Sequence, residues 1–127
     1  MRKDTNVLVL DDEDIVCRRL KDHLVRDGYT VEAFTESEAA LARLQEQKFD
    51  VIVTDYKMSG PTGMDVLRIV KDSGYATEVI MITGYASIET FRHAEVIGVY
   101  KFVAKPFKMK EVAQLVKKAV KKARKKE

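Results

Sequence analysis

The stretch Val7–Glu13 reads Val-Leu-Val-Leu-Asp-Asp-Glu, four consecutive apolar residues followed directly by three carboxylates. A short apolar run without alternation is typical of a strand that is covered on both faces, as in a parallel sheet. In an open parallel sheet the functional groups lie beyond the carboxyl ends of the strands. The stretch therefore predicts an interior strand that delivers acidic side chains to a site.

Four more short runs alternate with segments of helical spacing: Thr30–Ala33, Val51–Thr54, Val79–Ile82 and Val99–Val103. Five strands alternating with five helices predict an α/β fold, a flavodoxin-like (βα)5 doubly wound parallel sheet forming a single domain. Thr30–Ala33 mixes polar with apolar residues, which suits an edge strand, so strand 2 lies beside strand 1 at the edge. The order 2-1-3-4-5 follows, with a switch point between strands 1 and 3.

Local signals predict where several helices begin and end. Gly28 follows the first helical segment, Thr35–Glu38 matches a capping box, Ser87 or Ala86 opens the fourth helix, and Gly98 closes it. The last helix starts at Met109. Its apolar stripe consists of Val112, Leu115, Val116, Ala119, Val120 and Ala123.

Composition narrows the class of protein. Hydrophobic residues make up 46% and charged residues 34%, as in a globular domain. No apolar run approaches the roughly 18–20 residues of a membrane span, and the start lacks the apolar core of a secretory signal. Cys17 is the only cysteine, so no internal disulfide can form, and we expect it to be a buried small hydrophobe. These features predict a cytoplasmic protein with no membrane partner.

The net charge of +3 hides a division between an acidic body and a basic tail. Residues 108–127 contain nine Lys and Arg against two Glu, whereas residues 1–107 contain 14 basic and 18 acidic groups. The tail lysines could neutralise nucleic-acid phosphates. However, the opposite stripe is apolar, and cations near a helix C-terminus are favoured by its dipole. We expect a solvated face or the start of a linker rather than direct nucleic-acid binding.

Chemically active residues follow the predicted strands where each one ends. Asp11 and Asp12 follow strand 1, and Asp55, Thr83 and Lys105 follow strands 3, 4 and 5. We expect these side chains to converge on one edge of the sheet. Crowded carboxylates repel one another unless a cation compensates them, and a hard ion with oxygen ligands such as Mg²⁺ suits the group. Any one of these residues alone could instead be a helix cap.

A carboxylate beside a metal, a lysine and a threonine predicts phosphoryl chemistry. Asp55 is a nucleophile able to form an acyl phosphate. The metal and the Lys105 ammonium would neutralise phosphoryl oxygens, and Thr83 could donate a hydrogen bond to one of them. His23 and His93 are isolated in different helices, so they do not predict a zinc site.

The chain resembles the receiver domain of two-component response regulators over nearly its whole length. The resemblance rests on Val7–Glu13, Asp55–Met58 with Gly63 eight residues after Asp55, Met81–Ala86, and Phe102–Phe107. It implies one receiver domain over residues 1–127. The catalytic parts then lie within 1–107, and helix 5 with the basic tail occupies 108–127.

The resemblance also implies roles for individual residues. Asp55 would accept a phosphoryl group from a sensor histidine kinase or phosphotransfer protein. Asp12 and Asp55 would bind Mg²⁺ through side chains, Lys57 through its backbone carbonyl, and Asp11 mainly through metal-bound water. Lys105 would pair with the phosphoryl group, and its peptide bond to the following proline would be cis.

Thr83 and Phe102 resemble the two switch positions of the family. On phosphorylation the hydroxyl would move toward the phosphate and the ring would turn inward, changing the surface of helix 4, strand 5 and helix 5. That surface would act on a downstream protein target or a fused output domain, or support a phosphorylation-linked homodimer. The domain would be a phosphoacceptor that assists its own phosphorylation and dephosphorylation, not an enzyme.

Three positions depart from the family pattern or tune it. Ser59 stands where proline is usual, with Pro61 two residues later, so the loop after Asp55 should be stiffened differently. Phe102 replaces the commoner tyrosine and lacks its hydroxyl. Tyr85 lies where access to the acyl phosphate is tuned, and it could equally be a partly exposed aromatic residue at a helix start.

Two other functions on similar sheets are less compatible with the residues. A haloacid-dehalogenase-like phosphohydrolase needs a second Asp two residues after the nucleophile, and Lys57 stands there. A flavodoxin-like FMN protein needs a Ser/Thr/Gly-rich phosphate loop after strand 1, where four acidic residues would repel phosphate. Whether the receiver acts alone or as the front of a longer regulator stays open. The sequence of Met81–Ser87 is similar to the corresponding stretch in receivers that precede the ATPase module of enhancer-binding transcription factors.

Overall fold

Five strands and five helices alternate in the computed structural model, which describes residues 4–84 and 87–125. The strands are β1 (Asn6–Leu10), β2 (Thr30–Phe34), β3 (Val51–Asp55), β4 (Glu78–Thr83) and β5 (Lys101–Ala104). The helices are α1 (Asp14–Arg26), α2 (Ser37–Glu46), α3 (Gly63–Ser73), α4 (Ile88–Ile97) and α5 (Met109–Lys125). The predicted alternation is confirmed. Tyr85 lies outside the described residues.

The strands form one parallel sheet in the order β2-β1-β3-β4-β5, as predicted. The register pairs Leu10 with Thr54, and Asp55 with Ile82. The carboxyl ends of β1, β3 and β4 are therefore level with one another. This alignment brings the residues that follow the strands to one edge of the sheet.

Both faces of the sheet are covered by helices, and alternate residues of each strand face opposite layers. Val7 and Val9 pack with α1 and α5, whereas Leu8 and Leu10 pack with α2, α3 and α4. All four side chains are fully buried, as expected for an interior strand. Cys17 is buried in the first layer, as predicted, and its thiol donates to the Phe34 carbonyl at 3.2 Å.

Some helix ends match the sequence signals and one does not. Ser87 caps α4 by accepting from the Thr90 amide, and Gly98 ends that helix in the left-handed region at φ 115°. The predicted capping box at Thr35–Glu38 is wrong. Glu36 is the N-cap of α2, and its side chain caps no amide among the described residues. A capping box does occur at α3, where Thr62 and Asp65 bond reciprocally.

The last strand is shifted along the chain by one or two residues at each end, whereas the last helix begins at Met109 as predicted. β5 begins at Lys101 rather than Val99, although the Tyr100 amide still donates to the Val79 carbonyl at 2.8 Å. Five residues of the predicted α5 stripe are buried, and Leu115 is half-buried. The peptide bond between Lys105 and Pro106 is cis. None of the helices within residues 4–84 and 87–125 is long and apolar enough to cross a membrane.

Candidate functional site

Backbone hydrogen bonds between neighbouring strands position the site residues at the carboxyl edge of the sheet. The Asp11 amide donates to the Phe34 carbonyl at 3.1 Å, just beyond the end of β1. The Lys105 amide donates to the Thr83 carbonyl at 2.8 Å, just beyond β5. Asp55 is the last residue of β3 and Thr83 the last of β4. The sheet therefore brings together the side chains that the sequence placed at four strand ends.

Three carboxylates form the centre of this site. One oxygen from each of Asp11, Asp12 and Asp55 lies within 4.8 Å of the other two. Asp11 is fully buried, Asp55 is 5% exposed and Asp12 is exposed. Burial raises the pKa of Asp11 above its ordinary value, and burial together with the Asp11 charge raises the pKa of Asp55. Two negative charges held out of water at this distance favour a bound cation.

Lys105 supplies a fixed positive charge to the cluster. Its ammonium donates to Glu13 Oε1 at 2.7 Å and to Asp55 Oδ2 at 3.1 Å, and it lies 3.0 Å from Asp11 Oδ2. Burial acts to lower the pKa of Lys105, but its close contacts with the Glu13, Asp11 and Asp55 carboxylates outweigh that effect and raise it. Lys105 is therefore a permanent cation at neutral pH.

The donor set of the cluster fits a hard divalent cation. Asp11 Oδ1 accepts the Glu13 amide at 2.8 Å. Asp11 Oδ2 is buried and lies 3.0 Å from the Lys105 ammonium. This ion pair lacks hydrogen-bond geometry, so the oxygen accepts no hydrogen bond from a described residue. This oxygen has lone-pair capacity to spare, and every candidate ligand is an oxygen. Mg²⁺ prefers such ligands, so the residues present fit the ion.

An open cleft surrounds the cluster. It is lined by Asp12, Glu13, Asp55, Lys57, Met58, Ser59, Thr83, Gly84 and Lys105. All the predicted phosphoryl-site residues except buried Asp11 line it. A larger groove lies between α1 and α5, with Lys110, Lys117 and Lys121 on one wall. The cleft is the candidate site, because the carboxylates and Lys105 lie there and not in the groove.

The comparisons with known proteins agree with this geometry. The family model described as Response regulator receiver domain matches residues 7–117. The chain belongs to this family. The match to receivers sets aside the phosphohydrolase and FMN-binding alternatives.

Curated relatives of this receiver are longer regulators. Heme response regulator HssR of Staphylococcus epidermidis is 31% identical over 112 residues, covering 88% of this chain and 50% of that protein. DNA-binding transcriptional regulator NtrC of Proteus hauseri is 27% identical over 115 residues, covering 91% of this chain and 24% of that protein. The receiver thus spans about half of HssR and about a quarter of NtrC.

Solved structures of receivers share the fold. A CheY-like receiver domain from Methanospirillum hungatei superposes with TM-score 0.92 at 23% identity, covering 98% of this chain and all of that one. The beryllofluoride-activated NtrC4 receiver dimer gives 0.86 at 30% identity, covering 93% and 98%. A Burkholderia pseudomallei response regulator with a phosphorylated aspartic acid and a calcium ion gives 0.79 at 28% identity, covering 91% and 72%.

The loop after Asp55 is tied to the rest of the receiver at two points. The Ser37 hydroxyl at the start of α2 donates to the Ser59 carbonyl at 3.3 Å. The Gly63 amide donates to the Tyr56 carbonyl at 2.9 Å, where α3 begins. A Cβ at Gly63 would lie 2.5 Å from the Asp55 carbonyl oxygen, so only glycine allows this approach. Ser59, at the usual proline position, is thus anchored through its carbonyl.

The two predicted switch residues occupy different environments. Thr83 is 2% exposed and borders the cleft. Phe102 is half-buried on β5, and its ring meets that of Phe91 on α4 edge to face, with centroids 5.8 Å apart and planes at 78°. The ring of Phe102 therefore links β5 to α4.

Sequence reasoning placed Glu13 in the acidic run at the site and Ser37 within a predicted capping box, but it predicted no partner for either side chain. Glu13 is the N-cap of α1, but its side chain caps no amide among the described residues and binds Lys105 instead. The position of Glu13 in the acidic run could be read from the sequence. Its contact with a lysine that follows β5 could not. The histidines lie away from the cluster: His93 contacts Arg68 at 3.1 Å, and His23 lies 3.9 Å from Asp27.

Proposed function

We propose that this receiver accepts a phosphoryl group on Asp55 from a phosphohistidine of a sensor histidine kinase or phosphotransfer protein, with Mg²⁺ as cofactor. The observation that carries the proposal is the position of Asp55. It is a buried carboxylate grouped with Asp11 and Asp12, and its Oδ2 accepts from the Lys105 ammonium at 3.1 Å. The cleft around it is open to a second protein.

The transfer step balances without a further reactant. A carboxylate oxygen of Asp55 attacks phosphorus, forming a P–O bond while the P–N bond to the donor imidazole breaks. The imidazole nitrogen keeps the electron pair of the broken bond and takes up a proton from solvent water, which leaves the donor histidine neutral. Such transfers need little more than in-line positioning and neutralisation of the phosphoryl oxygens. The Lys105 ammonium provides a positive charge that would neutralise a phosphoryl oxygen. The hydroxyl of buried Thr83 would donate a hydrogen bond to another.

The carboxylate cluster would hold the metal. Asp12 and Asp55 would be side-chain ligands, the Lys57 carbonyl a backbone ligand, and Asp11 a partner of metal-bound water. When bound, Mg²⁺ would neutralise charge on the cluster and on the incoming phosphoryl group. Asp11 supports this assignment because its Oδ2 is buried and accepts no hydrogen bond from the described residues.

The switch would run from Thr83 to Phe102 and on to the surface of α4, β5 and α5. Movement of the Thr83 hydroxyl toward the phosphoryl group would let the Phe102 ring turn inward and leave Phe91. Exposed apolar side chains on α4 support a docking role for this surface: Ile88 is 71% exposed and Val96 is 85% exposed. Because Phe102 lacks a hydroxyl, its two positions would differ in packing and not in an outward hydrogen bond.

The partner on that surface would be a downstream protein or an attached output module. HssR and NtrC are named as regulators, and the NtrC4 receiver is an activated dimer, so transcriptional output and a phosphorylation-linked homodimer are both part of the proposal. Residues 1–127 would act as one receiver in the cytoplasm. The domain would assist its own phosphorylation and dephosphorylation and would not turn over a separate substrate.

Intact-mass measurement after incubation with acetyl phosphate and Mg²⁺ tests the proposal. We expect one added phosphoryl group, which is lost in Asp55→Asn and suppressed by a chelator. Asp72→Asn is the matched control, because Asp72 is an exposed carboxylate on α3 outside the cleft, and it should label like the wild type. A mass shift that persists in Asp55→Asn would sink the proposal.

A further inference from the structure

Glu13 makes the shortest contact that Lys105 has in the cluster. The ammonium lies 2.7 Å from Glu13 Oε1, against 3.0 Å for Asp11 Oδ2 and 3.1 Å for Asp55 Oδ2. The Glu13 side chain is 57% exposed, whereas those of Asp11 and Asp55 are 0% and 7% exposed. Glu13 therefore holds the ammonium from the solvent side of the cluster.

The hydrogen bonds of Lys105 show what this contact prevents. An ammonium has three N–H groups. Lys105 donates to Glu13 and to Asp55 with good geometry, but only an ion pair joins it to Asp11. If Glu13 were removed, an N–H would be released next to a buried oxygen, Asp11 Oδ2, that accepts no hydrogen bond from the described residues. The ammonium, already 3.0 Å from this oxygen, would then be able to donate a hydrogen bond to it and bind Asp11 more tightly.

We propose that Glu13 is a positioning residue that draws the Lys105 ammonium toward the solvent side of the cluster, so that its contact with Asp11 stays an ion pair and the carboxylates stay accessible to Mg²⁺. The inference rests on the proposed function in one respect, the assignment of the metal to this cluster. The Lys105 ammonium and Mg²⁺ compete for the same carboxylates. Glu13 favours Mg²⁺ because it holds the ammonium at the solvent side of the cleft. The same contact keeps the ammonium where an incoming phosphoryl group would meet it.

Isothermal titration of the full chain with Mg²⁺ alone, without a phosphodonor, measures this effect. Loss of a residue that orients metal ligands weakens binding by about 10-fold or more. We expect that loss for Glu13→Gln. We expect a similar loss for Glu13→Asp, which keeps the charge but is one methylene too short for the 2.7 Å contact. Asp14→Asn is the control for losing one nearby charge, since Asp14 pairs with Arg18 instead.

The Lys105→Met background isolates the route through the ammonium. There Glu13→Gln should weaken Mg²⁺ binding no more than Asp14→Asn does, because no ammonium remains to compete. An equal effect of Glu13→Gln in both backgrounds would overturn the inference, and so would wild-type affinity in Glu13→Asp. Circular dichroism checks folding. If Lys105→Met does not fold, the comparison of Glu13→Asp with Glu13→Gln decides alone.

The result is separable from that of the phosphorylation test. Mg²⁺ titration needs no phosphodonor, so the predicted pattern could hold in a chain whose Asp55 takes no phosphoryl group. Conversely, Asp55 could be phosphorylated while Glu13→Gln binds Mg²⁺ like the wild type, which would overturn the role of Glu13 alone. A wild-type chain that binds no Mg²⁺ would overturn the inference outright.

Discussion

Gly63 is the position where one added methyl group should reach the phosphoacceptor directly. In Gly63→Ala the new Cβ would lie 2.5 Å from the Asp55 carbonyl oxygen, 3.0 Å from the Tyr56 Cα and 3.2 Å from the Asp55 carbonyl carbon. All three are backbone atoms at the end of β3, so no side chain can rotate away. Either α3 must move outward or the peptide after Asp55 must shift.

The size of the effect follows from two opposing contributions. Forcing an extra methyl into a packed site costs about 1–3 kcal/mol. Alanine recovers up to about 1 kcal/mol over glycine in a helix, although less at the first residue of α3. The net loss should be about 1–2 kcal/mol, which lowers the melting temperature by roughly 3–10 °C in a domain of this size.

Thermal and urea unfolding followed by circular dichroism would measure the loss, and acetyl phosphate labelling would report the shift at Asp55 as a slower rate. Gly84→Ala is the matched control for stability. Among the described residues its Cβ would meet only the Lys105 Cβ, at 3.8 Å, an ordinary contact, so the stability of this variant should change by less than about 0.5 kcal/mol. A Gly63→Ala chain as stable as the wild type would refute the argument from close approach.

Three further predictions concern charge. Because burial raises the pKa values of Asp11 and Asp55, the stability that these two groups contribute without metal should be fully present below their ordinary pKa and be lost as pH rises through the raised values. Added Mg²⁺ should abolish that loss, Asp55→Asn should reduce it, and urea midpoints that rise with pH without metal would contradict it. The bond from Arg43 lowers the pKa of Glu32, so Glu32→Gln should be less stable than wild type at pH 7, and the difference should disappear as pH falls through that lowered pKa. Lys117→Ala, on the exposed side of α5, should leave the rate of Asp55 labelling unchanged, and a clear fall would count against the assignment of the tail as a solvated face.

The topology could be predicted because its signals are local and strong. Val7–Leu10 and Val51–Thr54 are apolar without alternation, and burial on both faces of a parallel sheet is the physical reason for that pattern. The polar residues of Thr30–Ala33 marked the edge for the same reason. Strand order then followed from which strands could be interior.

Helix starts were harder, because capping signals compete. Thr35–Glu38 and Thr62–Asp65 both match the pattern of a Ser or Thr followed three residues later by an acid. Only the second forms the box. At α2 the Ser37 hydroxyl is engaged by the Ser59 carbonyl, a contact 22 residues away that no local pattern reveals. The signal at Thr62 was present in the sequence and was missed.

The candidate site, like the fold, could be predicted only in part. The residues that follow strands could be placed from the sequence, because parallel strands end at a common edge. The contacts of the Lys105 ammonium with three carboxylates could not be predicted. They depend on how far this long side chain reaches from the end of β5 to Glu13 and Asp11, which follow β1. Which carboxylate binds an ammonium most closely is a matter of tenths of an ångström, and the sequence contains no such information.

Mapping the phosphoryl group to a residue tests the central claim most directly. After labelling with acetyl phosphate and Mg²⁺, borohydride reduction converts an aspartyl phosphate to homoserine, which peptide mass spectrometry locates. We expect homoserine at position 55 and no reduced side chain at any other acidic residue of the cleft. Homoserine at Asp11 or Asp12, 5-hydroxynorvaline at position 13, or full labelling without a modified residue at position 55, would contradict that claim.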